Sequence, residues 1–220
     1  MAQLDPSGHV AQMPAHGSGH LEHIWVYPVK SMRGQALRAA LIDADGIVGD
    51  RAWSVCDTET GQTLSARRVP VLAEVTARTG VGGEIFLDVP GEPPGTSGAD
   101  ADAALSRHLG RDVHLVRADA GSFADVAAIH LVSTAAIAAA AAAGQACGPG
   151  AAEDPRANLI IAMRDENHDD KEPEHGWVGR EVVVGSAVLR VSRTPKHCLG
   201  VYADVLVPGT AEPGATLLVR

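Results

Sequence analysis

Short apolar runs separated by turn-forming residues organise this chain. Between His23 and Val89, runs of Val, Ile, Leu and Trp are punctuated by Gly, Asp and Pro, the pattern of consecutive strands. The pattern predicts strands near Ile24 to Val29, Ala36 to Ile42, Arg51 to Cys56, Leu72 to Ala77 and Ile85 to Val89. Turns fall at Thr58 to Gly61 and Gly80 to Gly83. After the Pro- and Gly-rich loop from Pro90 to Gly98, a helix is expected over Ala99 to Leu109 with Ser97 as its cap. A strand follows over Asp112 to Arg117. Ser133 opens an Ala-rich helix that ends near Gly144, and Gly148 to Glu153 reads as a loop. Strands then return at Leu159 to Met163, Glu181 to Val184, Val188 to Arg193, Val201 to Leu206 and Leu217 to Val219.

Many short strands with two helices predict a mainly β fold, a β-barrel with a few helices. Strands that do not alternate with helices, together with the absence of a Gly-x-Gly-x-x-Gly or phosphate-loop signature, argue against a nucleotide-binding α/β fold. Residues 1–20, rich in Gly, Pro, Ala and His, read as a disordered tail. Residues 21–118 then form an N-terminal β-rich part, and residues 119–220 a second domain.

Composition narrows the function classes. The 220 residues carry a formal net charge of -9, which opposes a phosphate backbone and argues against nucleic-acid binding. Three cysteines, Cys56, Cys147 and Cys198, are too few and too scattered for a disulfide framework, so a reducing cytoplasm is the expected setting. The most apolar stretch, Val126 to Ala143, is mostly Ala and is interrupted by His130, Ser133 and Thr134, so no membrane span is expected.

Five places can carry chemistry. Pro28 lies inside an apolar strand, which must bend or end there, and Lys30 and Ser31 emerge beyond it as an ammonium and a hydroxyl suited to an oxyanion. Arg51 follows a turn and shares a strand face with Trp53; it is either an anion clamp or the surface partner of Asp50, with Trp53 in the core. Arg67 and Arg68 are adjacent guanidiniums that point to opposite faces of an extended chain, one towards a pocket and one to solvent. Arg156 and Asn158 precede an apolar strand as pocket residues or loop polar groups. Cys198 follows Lys196 and His197, neighbours that favour thiolate. That thiol is a metal ligand, a nucleophile, a persulfide carrier or an inert buried cysteine. The run His168, Asp169, Asp170 to His175 has irregular spacing and reads as an acidic loop rather than a zinc site.

Taken together the segments resemble the MOSC family, named for the C-terminal domain of molybdenum cofactor sulfurases, with its N-terminal β-rich part. The N-terminal resemblance rests on Ile24-Trp25-Val26-Tyr27-Pro28-Val29-Lys30-Ser31 with Gly34, on Asp45-Gly46-Ile47 with Asp50-Arg51-Ala52-Trp53, and on Ala66-Arg67 with Pro70. The C-terminal resemblance rests on His130-Leu131-Val132-Ser133, Arg156-Ala157-Asn158-Leu159-Ile160, Gly176-Trp177-Val178-Gly179-Arg180 and Cys198. Similarity to amidoxime-reducing members implies a molybdenum cofactor (molybdopterin) whose metal is ligated by Cys198, also the catalytic residue. Lys30, Ser31, Arg51, Arg67, Arg156 and Asn158 are then implied to line the pterin and phosphate pocket. The implied activity is reduction of small N-hydroxylated compounds with electrons from a separate redox protein. The alternative is a persulfide or cofactor carrier served by a sulfurtransferase of cofactor biosynthesis. The chain departs from reductase-like members in passing almost directly from Cys198 to Val201, where they carry a longer insert, and in having Ala157 as the middle residue of the family's Arg-Pro-Asn.

Overall fold

A computed structural model describes residues 17–119, 122–123, 127–144, 156–164, 172–196 and 198–220. In chain order the strands begin with β1 (Gly17–Val26), β2 (Gln35–Leu37), β3 (Ala40–Asp43), β4 (Gly46–Ile47) and β5 (Trp53–Asp57). They continue with β6 (Thr76–Thr79), β7 (Ile85–Asp88) and β8 (Thr96–Ser97), then helix α1 (Gly98–Leu109) and β9 (Val113–Arg117). The second half holds β10 (Ile129–Ser133), helix α2 (Thr134–Ala142), β11 (Leu159–Met163), β12 (Glu181–Val184) and β13 (Ala187–Arg193). It ends with β14 (Val201–Val207), β15 (Gly209–Ala211) and β16 (Thr216–Val219).

Seven strands close into a barrel in the order β1, β11, β10, β14, β13, β12, β16 and back to β1. Every neighbour is antiparallel except β10 and β11, which run parallel. Alternating burial along β1 sends Leu21, Ile24 and Val26 into the barrel, with a register shift between Leu21 and His23 that re-aims the strand. β2 extends the sheet from the edge of β1, and β15, β3 and β4 form a separate small sheet.

Burial divides between two main cores. The barrel core gathers Leu131, Leu159, Ile161, Val182, Leu189, Val201, Leu217 and Trp177. The second gathers Val29, Met32, Val55, Leu72, Ala77, Leu87, Leu105 and Val113, around β5 to β9 and α1. Sequence order does not follow this division: β1, β3 and β4 supply Leu21, Ile24, Val26, Ala40, Ile42 and Ile47 to the barrel core. A smaller cluster of Val132, Ala136, Ala157 and Ile160, flanked by Trp25 and Leu199, lies between α2 and the barrel wall.

Several expectations change. Residues 17–20, expected in a tail, are strand, because β1 pairs with β16 from Gly17 onward. The strand expected from Leu72 to Ala77 is a 3-10 helix over Pro70–Glu74 followed by β6, since Pro70 starts the turn and leaves only Thr76 onward to pair with β7. The strand expected from Ala36 to Ile42 divides at Arg38 and Ala39 into β2 and β3, which join different sheets. Ser97 precedes α1 without a side-chain cap bond. Ser133 does cap α2, accepting from the Ala136 amide, and its own N–H donates to the buried Glu174 carboxylate at 3.0 Å. The loops at Gly148 to Glu153 and at His168 to Asp170 lie outside the described residues.

No helix among the described residues is long and apolar enough to cross a membrane.

Candidate functional site

The site begins where Pro28 ends β1. Residues 27–30 run beside residues 50–53, joined by Arg51 N–H to Tyr27 O (2.7 Å), Trp53 N–H to Pro28 O (3.0 Å) and Lys30 N–H to Trp53 O (2.8 Å). Pro28 fits because it needs only to accept here. The Tyr27 amide donates to Asp50 Oδ1 at 2.8 Å, and Asp50 Oδ2 accepts from Arg51 Nη1. Burial raises the Asp50 pKa, against the opposing pull of Arg51 and the Tyr27 amide. Gly34 packs below, where a Cβ would meet Val26 O and the Tyr27 ring.

Tyr27 is 1% exposed and carries two guanidiniums. Arg51 Cζ lies 5.4 Å and Arg156 Cζ 5.1 Å from its ring centroid, within cation–π range. The Tyr27 hydroxyl donates to Ala157 O at 3.2 Å, and Arg156 Nη1 donates to Met32 O at 2.8 Å. Arg156 therefore ties the barrel to the Ser31 turn. Among the described residues the non-glycine residues with positive φ are Ser31 (71°), Arg51 (51°) and Arg156 (59°). Strained conformations of this kind persist where surroundings over-determine them, commonly at binding sites. The sequence had placed Arg51 in a strand sharing a face with Trp53; instead it is in the turn, and β5 starts at Trp53.

The second half of the site is built on β10 and the segment before β14. Cys198 is a free, exposed thiol, so an inert buried role is excluded. Its neighbour Leu199 accepts a hydrogen bond through its carbonyl oxygen from His130 Nε2 at 2.8 Å, while His130 Nδ1 faces Arg156 O at 3.2 Å. One imidazole thus bridges the thiol-bearing loop and the Arg156 loop. A neutral ring donates to only one of these carbonyls. Burial, aided by the Arg51 and Arg156 charges, lowers the His130 pKa against both carbonyls. The His130 ring also lies 4.9 Å from that of Tyr202. Tyr202 hydrogen-bonds the Cys198 side chain, and its own pKa is raised by burial and then by Cys198. Arg193 Cζ stands 5.7 Å from the Tyr202 ring. Gly200 makes this path possible: at φ 82° it passes directly over Leu131 O, where any Cβ would collide.

His130 faces Arg156 O on one side and the Tyr202 ring on the other, and Arg156 lies over Tyr27, so the Tyr27 and Cys198 clusters adjoin. Lys30, Ser31 and Arg67 lie next to them, lining a pocket of about 650 Å³ with Arg68. Asn158 is fully buried. Its Oδ1 accepts from His130 N–H at 3.1 Å, its Nδ2 donates to Trp25 O at 3.4 Å, and it hydrogen-bonds Asp50. Asp50, His130 and Tyr202 were missed as site residues. A histidine inside the apolar run Ile129 to Val132 was the available signal for one of them. No group of three or more His, Cys, Asp or Glu among the described residues is arranged to hold a metal ion by itself.

The sequence family described as the MOSC N-terminal beta barrel domain matches residues 18–134, more than half of the chain. The chain belongs to that family. Membership makes it a molybdenum-cofactor-related protein. Among solved structures, the YUAD protein from Bacillus subtilis is similar at 14% identity over 92% of this chain and 95% of that chain, with a TM-score of 0.46. YiiM from Geobacillus stearothermophilus is similar at 21% identity over 43% of this MOSC chain and 54% of its own, with a TM-score of 0.31. No curated protein matches the sequence.

Proposed function

We propose that this MOSC protein holds a molybdenum cofactor with Cys198 as the thiolate ligand and reduces small N-hydroxylated compounds with electrons from a separate redox protein. The observation that carries the reading is the meeting of an exposed thiol with two guanidiniums through one continuous network: Cys198 to Tyr202, Tyr202 to His130, then to Arg156, Tyr27 and Arg51. A phosphorylated pterin is anionic, and a chain of net charge -9 has to gather cations to hold one. The donor set fits: one soft thiolate for the metal and guanidiniums for the anionic groups.

When bound, the cofactor supplies two-electron chemistry at the metal. The chain's own residues do the remaining work. Arg51 and Arg156 hold anionic groups of the cofactor, assisted by Lys30, Ser31 and Arg67 in the adjoining pocket. Tyr202 orients the Cys198 sulfur through its hydrogen bond, and His130 keeps the loop carrying that sulfur against β10. Asn158 acts at one remove, fixing Asp50 and the His130 backbone. The net reaction takes two electrons and two protons, breaks the N–O bond, leaves N–H on the substrate and releases water.

The test is reduction of a simple amidoxime by cofactor-loaded protein with a chemical electron donor, which removes dependence on the natural partner. Turnover by wild type that is lost in Cys198→Ser supports the proposal; equal turnover in both contradicts it. The exposure of Cys198 favours a second reading, in which the thiol accepts sulfur as a persulfide from a sulfurtransferase. That reading predicts a cyanide-labile sulfur on wild type and none on Cys198→Ser, without turnover by either.

A further inference from the structure

Side chains on the outer face of the barrel line up across β10, β14 and β13. Ile129, Ala203 and Val191 belong to the barrel core, so His130, Tyr202 and the residue opposite Tyr202 on β13 point outward. Regular pairing beyond Val191 and Ala203 would set Ser192 opposite Tyr202. A register shift between Val191 and Arg193 sets Arg193 there instead, and Ser192 Oγ donates to Tyr202 O at 3.2 Å, fixing the bulge. The outer row therefore reads His130, Tyr202, Arg193. His130 takes the flank of Tyr202 that leads to Arg156 and Tyr27. Arg193 takes the other flank, its Cζ 5.7 Å from the Tyr202 ring centroid. Tyr202 itself hydrogen-bonds the exposed Cys198 side chain. Burial and Cys198 raise the Tyr202 pKa while Arg51 and Arg193 lower it, so the charge of Arg193 reaches the hydroxyl beside the thiol.

We propose that Arg193 determines specificity at Cys198 by receiving a carboxylate carried by the small molecule that reacts there. A planar guanidinium matches a carboxylate in a two-point hydrogen bond. Arg193 has contacts of its own, and the fork of N–H donors lets a guanidinium keep such contacts and still take an anion. The bulge exchanges a short hydroxyl for a long cation beside an exposed thiol, as bulges next to active sites re-aim side chains. Because Arg193 stands across Tyr202 from the Arg156 and Tyr27 cluster, it is placed to serve the reacting molecule rather than the cofactor. The identity of that molecule as an N-hydroxylated compound bearing a carboxylate rests on the molybdenum reading above; recognition of an anion at the thiol does not.

The first test needs no metal. In full-length protein from a host unable to synthesise the cofactor, Cys198 is alkylated with iodoacetate, an anion, or with iodoacetamide, its neutral analogue, and both rates are read at that residue by mass spectrometry. Both reagents consume thiolate, so the ratio of their rates is independent of how much thiolate is present. The ratio is expected to exceed that of N-acetylcysteine amide, a neutral thiol, in a protein whose net charge of -9 by itself repels the anion. It falls about fivefold in Arg193→Gln, the effect of one unit charge at short range in water. Arg193→Lys keeps the charge and the ratio, and Arg78→Gln, on a strand of a separate sheet, changes neither. Arg193 is exposed, so its variants keep the wild-type unfolding midpoint. An unchanged ratio in Arg193→Gln, or a fall that follows Lys196→Gln instead, overturns the proposal. The second test gives cofactor-loaded protein and a chemical electron donor a benzamidoxime with a para carboxylate or its para carboxamide counterpart. The carboxylate is expected to have the lower KM in wild type, and Arg193→Gln to remove that difference with kcat little changed; equal KM values in wild type overturn the substrate assignment. No turnover of either compound, with the alkylation ratio still set by Arg193, refutes the reductase reading and leaves anion recognition at Cys198 standing.

Discussion

Replacing Asn158 by Leu nearly preserves side-chain volume while removing a buried polar strut. The amide loses three contacts: from His130 N–H at 3.1 Å, to Trp25 O at 3.4 Å, and with Asp50. An orphaned buried N–H costs about 1 to 3 kcal/mol, and a lost hydrogen bond to a charged group about 1.5 to 3. The Trp25 contact is near the distance limit and adds little. Against this, the apolar side chain recovers about 1 to 2 kcal/mol by burial. The net loss expected is about 3 kcal/mol, a large part of the roughly 5 to 15 kcal/mol that stabilises a domain. Equilibrium urea unfolding measures it as a lower midpoint with an unchanged slope. A loss below about 1 kcal/mol, nearer to that of an exposed position, refutes the idea that Asn158 is a strut.

Arg51→Ala weakens cofactor retention by about 1.5 to 3 kcal/mol, one charge-assisted hydrogen bond; equal occupancy after dialysis in variant and wild type removes Arg51 from the site. Gly200→Ala forces a left-handed alanine against Leu131 O, with a conformational cost of about 1 to 2 kcal/mol before the collision is added. Unfolding midpoints equal to wild type contradict that placement. The pH dependence has two opposing arms. The lowered His130 pKa means that its contribution is complete above its ordinary value of 6.5 and is lost as pH falls from there through the folded value. Asp50 and Glu174, with pKa raised by burial, contribute fully below their ordinary values of 3.8 and 4.5 and lose that contribution as pH rises through the folded values. Wild type should therefore lose stability between pH 7.5 and pH 5.5 through His130, by at most about 1.4 kcal/mol per pH unit. His130→Gln should lose less over the same interval, and parallel losses exclude His130 as the cause.

Strand positions were legible where local patterning decides them. Leu159 to Met163 and Glu181 to Val184 match β11 and β12 at both ends because each is an apolar run bounded by polar or turn residues. Barrel closure was not legible, since β1 pairs with β11 and β16 across most of the chain and period-two alternation carries no partner information. Arg51 and Arg156 stood out beforehand through the resemblance and their charge in an acidic protein, yet the left-handed backbone that aims them has no signature in those residue types. Arg67 and Arg68 were read as pointing to opposite faces of an extended chain, whereas the turn at Ser65 leaves both exposed on the border of one pocket. His130 and Tyr202 were hidden by the apolar strands that contain them, because only the register between β10 and β14, which sets His130 opposite Tyr202, brings their rings together.

The central claim is that the thiol of Cys198 and the arginines around Tyr27 serve one molybdenum cofactor. Its most direct test is the molybdenum content, by elemental analysis, of full-length protein purified from a molybdate-supplied, cofactor-competent host, for wild type and Cys198→Ser side by side. The account predicts near-stoichiometric molybdenum in wild type and a large loss in the variant. No molybdenum in either protein, or equal amounts in both, contradicts it.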